Sequence, residues 1–235
     1  MSRNLILALA AVAALAAGGY FVFGPDEAPE SANNDTTSSA ATETVAEPAA
    51  ETVAPENEDL PAILEMAIGD ANAPVTIIEY ASFTCPHCRN FHENVFGDIK
   101  TNFVDTGKVR FVVRDVYFDR LGLWASILAR CGGPERYFGI ADLIYRKQGE
   151  WTQGEDSATI TANLLQLGRL AGMNDAEMNT CLQDENKAKA LVAAYQENTA
   201  RDGINSTPSF LINGKNYSNM RYEEFADIIN ALVDG

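Results

Sequence analysis

Two cysteines with a proline and a histidine between them, Cys85-Pro86-His87-Cys88, stand where an apolar run from Val75 to Ala81 gives way to a helix-like stretch. Two thiols at CxxC spacing at a helix start can close a small disulfide and reopen it. The position favours the thiolate on Cys85, because unpaired backbone N–H groups and the positive end of the helix dipole face it. Cys88, one turn further in, is shielded and suits the part of resolving thiol. Pro86 costs little there, since the first helical turn has no use for its missing N–H. His87 adds a ring N–H, or a positive charge when protonated, close to the thiolate. A stabilised thiolate makes the reduced pair more stable and the disulfide a stronger oxidant.

A CxxC can also be half of a zinc site, but zinc wants a second ligand pair. His92, Cys131 and Cys181 are the candidates, and none is spaced as a second CxxC or HxxxH. The expectation is therefore no metal and no cofactor. Glu79 is odd inside a strand that is apolar on both faces. A carboxylate there would be desolvated and fit to move a proton to or from Cys88; the alternative is an edge-strand glutamate facing water. His92, one turn beyond Cys88, reads as a surface or packing histidine rather than a ligand or base. Thr207-Pro208 opens a later strand, which suggests a special backbone state, cis among the options. A cis bond there would leave the Thr207 backbone free to pair with an extended peptide.

The elements that must position these residues follow from the pattern. Asn72-Ala73-Pro74 reads as a turn and Val75 to Ala81 as a buried central strand. Phe91, Val95, Ile99 and Phe103 then recur at helical spacing up to Thr106-Gly107, and Val109 to Val113 is a second strand. This is a β–α–β unit with the dithiol at its strand-to-helix junction. From about 119 to 202 the pattern is helical throughout, which suggests a helical subdomain inserted into an α/β fold. Strand character resumes at Thr207-Pro208-Ser209-Phe210-Leu211-Ile212, and Asn213-Gly214 is a strong hairpin turn. A last amphipathic helix runs from Tyr222 to Val233.

Charge and the N-terminus set the compartment. The chain of 235 residues has a formal charge of −16, yet ten acidic residues and no basic one lie between Asp26 and Asp59. The rest is only mildly acidic, and nothing basic suggests nucleic acid. Arg3 followed by an apolar run from Leu5 to Phe23 reads as an export signal over 1–24. The run is long enough to stay as an N-in, C-out membrane anchor; cleavage after Ala14-Leu15-Ala16 is the other reading. Residues 25–59, rich in Ala, Glu, Thr and Pro without an aromatic, read as a disordered tether reaching roughly 30 Å. Residues 60–235 form the folded domain. In an exported chain with four cysteines, the two outside the CxxC, Cys131 and Cys181, most simply pair as a structural disulfide. Separate buried thiols and a second redox role are the alternatives.

With Glu79, the CPHC and Thr207-Pro208 placed, the chain resembles the DsbA-like branch of the thioredoxin superfamily. Ala73-Pro74-Val75 leading to Glu79-Tyr80-Ala81-Ser82-Phe83-Thr84-Cys85-Pro86-His87-Cys88 carries the likeness. Far downstream, Thr207-Pro208-Ser209-Phe210-Leu211-Ile212-Asn213-Gly214 is similar to the family's cis-proline strand and hairpin. The resemblance implies a thioredoxin-like fold with a helical insert and a periplasmic thiol–disulfide exchange activity. It also implies Glu79 as the family's buried acid and cis-Pro208 facing the dithiol. Its expected partners are exported cysteine-containing polypeptides and a membrane redox partner. Thr before the proline is shared with relatives that isomerise or reduce, so the resemblance leaves the direction of electron flow open. A metal-handling protein and a chaperone-like binding module are the readings from other classes.

Overall fold

Five strands, β1 (Met66–Ile68), β2 (Val75–Ala81), β3 (Val109–Asp115), β4 (Ser209–Ile212) and β5 (Lys215–Ser218), form one mixed sheet in the computed structural model, which describes residues 60–235. Their order is β1-β3-β2-β4-β5. The central strand, β2, is parallel to β3 and antiparallel to β4. Its run of Val, Thr and Ile suits a strand covered on both faces. The signal or anchor over 1–24 and the tether over 25–59 lie outside the described residues.

Alternation along β2 sorts its side chains. Val75, Ile77 and Ala81 join the main core, while Tyr80 packs on the opposite face with Val116 and Leu211. Glu79 shares the face of Ile77 and Ala81 and is fully buried. The edge-strand alternative for it therefore falls, because β3 and β4 flank β2 on both sides.

The helix that follows β2, α1 over 86–104, is α-helical at Pro86–Phe91 and Gly97–Ile99 and widens into π-turns at His92–Phe96 and Lys100–Val104. Its Phe91 and Phe96 pack on Phe111 of β3. Phe91 also meets Phe210 and Phe225, the latter from α8 (Tyr222–Asp234). Between β3 and β4 come α2 (Arg120–Cys131), α3 (Pro134–Arg146), α4 (Gln148–Trp151), α5 (Ser157–Leu170), α6 (Asp175–Leu182) and α7 (Glu185–Asp202). This is the helical insert expected at about 119–202, on the α/β scaffold expected around it. Among the described residues, no helix is long and apolar enough to cross a membrane.

Buried polar pairs tie the insert to the sheet. Arg130 of α2 donates through Nε and Nη2 to Asp115 at the end of β3, at 2.9 and 2.6 Å, and its Nη1 reaches the Leu64 carbonyl. That pair explains why β3 runs two residues past the expected Val113: Asp115 is held there by the insert. Strand β1 was not expected at all. Three residues are too few to show a period, and its hydrogen bonds come from β3. The hairpin at Asn213-Gly214 forms as expected, with φ of 45° and 82°, the left-handed pair that a tight two-residue hairpin turn needs.

Candidate active site

The loop 82–85 carries the chain from the C-terminal end of β2 to the start of α1. The Cys85 N–H donates to the Ser82 carbonyl at 3.1 Å, closing a turn, and Arg89 N–H then donates to the Cys85 carbonyl at 3.1 Å. Cys85 is thus the N-cap of α1, with Pro86 in the first turn where no N–H is wanted. Two groups from the insert clasp this loop. Gln148 of α4 donates its side-chain amide to the carbonyls of Phe83 (2.7 Å) and Cys85 (3.1 Å). Asp119 caps α2 through Gly122 N–H at 2.7 Å and accepts from the Thr84 hydroxyl at 2.9 Å.

Cys85 and Cys88 are unbonded thiols in this structure. Cys88 is fully enclosed, whereas Cys85 keeps a small exposed area beside the exposed Pro86 and His87. The Cys85 thiol is drawn down to about 5, first by the hydrogen bond from Cys88, against the opposing effect of burial. Thr207 and the backbone N–H groups of Cys88 and His87 add to it. The Cys88 thiol is pushed far above the ordinary range by burial, by its hydrogen bond to Cys85 and by the charge of Glu79. One thiol is therefore suited to act as nucleophile and leaving group, and the other to keep its proton. The helix start contributes as expected. His87 acts through its backbone N–H, and its exposed ring makes no hydrogen bond to Cys85.

Thr207 and Pro208 come from the segment that leads into β4. Their peptide bond is cis, and the Thr207 carbonyl oxygen lies 3.5 Å from Cys85 Sγ. Strand pairing of β4 with β2 brings these distant residues beside the dithiol.

Below the dithiol, Glu79 and His92 meet. His92 Nε2 lies 3.1 and 3.0 Å from the two carboxylate oxygens, and both side chains are shut off from solvent. His92 is buried, stacked on Tyr145 of α3 at 4.2 Å. The expectation of a packing histidine covers the stacking but misses the carboxylate. Its spacing of four from Cys88 was the available signal, since residues four apart share a helix face. Gln148 left no signal, because its four-residue helix has no readable period.

Cys131, at the end of α2, and Cys181, in α6, are disulfide-bonded, with Cα atoms 5.8 Å apart and 50 residues of separation. Paired with each other, they are not free to complete a zinc site with Cys85 and Cys88.

A family model described as thioredoxin matches residues 62–231. Over 171 residues the chain is 30% identical to a Rickettsia bellii protein provisionally named as a protein-disulfide oxidoreductase, covering 72% of this chain and 65% of that one. It thus spans less than two thirds of that relative's length. It is 28% identical to disulfide bond formation protein D of Bacillus subtilis, covering 72% of this chain and 77% of the relative. The crystal structure of α-DsbA1 from Wolbachia pipientis is similar to it with a TM-score of 0.66 at 29% identity, covering 74% of this chain and 94% of that one.

Proposed function

The chain belongs to the thioredoxin family, in its DsbA-like branch, and from that premise we propose that it is an exported thiol–disulfide oxidoreductase that introduces disulfides into other exported proteins. The observation that carries the direction is the split between the two thiols: Cys85 down to about 5 and Cys88 held protonated by burial. A stable Cys85 thiolate favours the reduced enzyme, so its disulfide is a strong oxidant.

In the forward reaction a substrate thiolate attacks Cys85 Sγ of the Cys85–Cys88 disulfide. The bond to Cys88 breaks, and Cys88 leaves with the electron pair and takes up a proton. A second substrate thiolate then attacks the substrate sulfur of the mixed disulfide and expels Cys85 as a thiolate. Substrate has lost two electrons and the enzyme pair has gained them. Low basicity makes Cys85 a fast leaving group. Glu79, whose charge bears on Cys88, is the acid and base for the buried sulfur. Thr207, with its carbonyl at 3.5 Å from Cys85 Sγ, is placed to pair with the backbone of a bound peptide. A membrane partner that accepts electrons reoxidises the pair, and no cofactor is required.

The test is the redox equilibrium of Cys85–Cys88 against glutathione in a Cys131→Ser, Cys181→Ser background. Ready reduction by glutathione is the expected result. A pair as hard to reduce as that of thioredoxin would overturn the oxidase and leave a reductase or isomerase on the same site.

A further inference from the structure

Thiol–disulfide exchange at Cys85–Cys88, on which the following rests, needs a proton moved at a sulfur that solvent does not reach. Cys88 is 0% exposed, and so is Glu79. A buried carboxylate acts on a buried thiol only if its orientation is held, because a free rotor would turn away to find other partners. Within the described residues, the side-chain hydrogen bonds of Glu79 are those with His92, whose Nε2 lies within 3.1 Å of both oxygens. The imidazole is held in turn. Tyr145 stacks on it at 4.2 Å, Phe96 packs at 4.9 Å and Phe91 meets it edge-on at 5.4 Å. Its backbone N–H donates to the Cys88 carbonyl, so the ring sits one turn below Cys88 on the same side of α1. A π-turn begins at His92 itself, the kind of local widening that often accompanies functional residues.

We infer that His92 is the positioning residue for Glu79: its Nε2–H holds the carboxylate toward Cys88, so that Glu79 takes the Cys88 proton when the disulfide closes and returns it when the disulfide opens. With glutathione as the leaving thiol, closure balances as follows. The Cys88 S–H bond breaks and its proton passes to the Glu79 carboxylate. The Cys88 sulfur attacks Cys85 Sγ of the Cys85–glutathione mixed disulfide, and glutathione departs as a thiolate with the electron pair.

The surroundings leave this work to the pair. From α3, Tyr145 and Tyr137 face Glu79, and burial keeps both phenols protonated far beyond the working range. From β3, Asp115 also bears on them, and its charge is matched by Arg130 of α2 at 2.6 Å. From α4, Gln148 is a neutral amide committed to the Phe83 and Cys85 carbonyls. On α1 itself, Cys88 is the group on which the Glu79 charge bears, and His87 is exposed.

The experiment mixes the full reduced protein with excess oxidised glutathione and follows two phases. The first, attack by the Cys85 thiolate, scales with glutathione; the second, closure by Cys88, does not. His92→Phe is expected to slow closure by about tenfold or more while leaving the first phase within about twofold of wild type. Glu79→Gln is expected to do the same. His92→Gln, which keeps a side-chain N–H for the carboxylate, is expected to recover most of the closure rate. In the Glu79→Gln background, His92→Phe is expected to cost nothing further; that double variant buries no unpaired charge and so serves if His92→Phe alone fails to fold. Closure at the wild-type rate in His92→Phe, equal slowing of both phases, or further slowing of Glu79→Gln by His92→Phe would each overturn the inference. Failure of wild type to form a Cys85–Cys88 disulfide would instead overturn the oxidoreductase reading beneath it.

Discussion

The two cysteine pairs of this molecule are built on opposite plans. Cys85 and Cys88 are three residues apart within one helical turn, and the turn treats their sulfurs unequally. One caps the helix and is drawn down to about 5, while the other is enclosed and held protonated. Cys131 and Cys181 are 50 residues apart on different helices and are already bonded. Their bond closes a long loop, whose restriction of the unfolded chain is worth about 4 kcal/mol on the chain-entropy model. The difference teaches that an easily reversed disulfide needs asymmetry between its sulfurs, whereas a stabilising one needs separation along the chain.

The contrast can be broken most completely at Cys85. Cys85→Ser is expected to reduce exchange with a cysteine-pair peptide to the uncatalysed level, and Cys88→Ser to accumulate the mixed disulfide at Cys85. Mass spectrometry after acid quenching reads both. Next in size, Cys131→Ser with Cys181→Ser is expected to lower the unfolding free energy by about 4 kcal/mol in urea. The thiolate titration of Cys85 should stay in place in that variant, because its causes are all local to the site.

A further effect concerns pH. The folded Cys85 thiol ionises near 5, below its ordinary value of 9.0. Ionisation therefore stabilises the reduced folded form fully above the unfolded value, and the gain is lost as pH falls through about 5. Absorbance of the thiolate at ultraviolet wavelengths should show that midpoint, and Cys88→Ala, which removes the leading donor, should move it upward. The smallest effect sharpens the second pair. Lys187 Nζ lies 3.3 Å from Cys181 Sγ, so its ammonium favours departure of that sulfur as a thiolate. Lys187→Met should slow reduction of Cys131–Cys181 by dithiothreitol about twofold, a modest effect because the contact is only partly buried.

Much of this was written along the chain. The apolar Val75 to Ala81 run, the CPHC after it, the helical stretch of about 119–202 and the Asn213-Gly214 turn are local patterns, and local patterns act through residues a few positions apart. The oddness of Glu79 inside an apolar strand was legible for the same reason. Tertiary structure alone decided what meets what. Pairing of β4 with β2 brings the Thr207 carbonyl beside Cys85 across 122 residues. Packing of the insert puts Gln148 onto the Cys85 loop across 63 residues and stacks Tyr145 on His92. It was also tertiary structure that turned His92 from a packing residue into the partner of Glu79, because no spacing states which strand a helix face will cover. The leading cause of the low Cys85 pKa belongs to the same class. A CxxC pattern specifies two neighbouring thiols, but enclosure by the surrounding core is what keeps the proton on Cys88 and so lets it donate to Cys85.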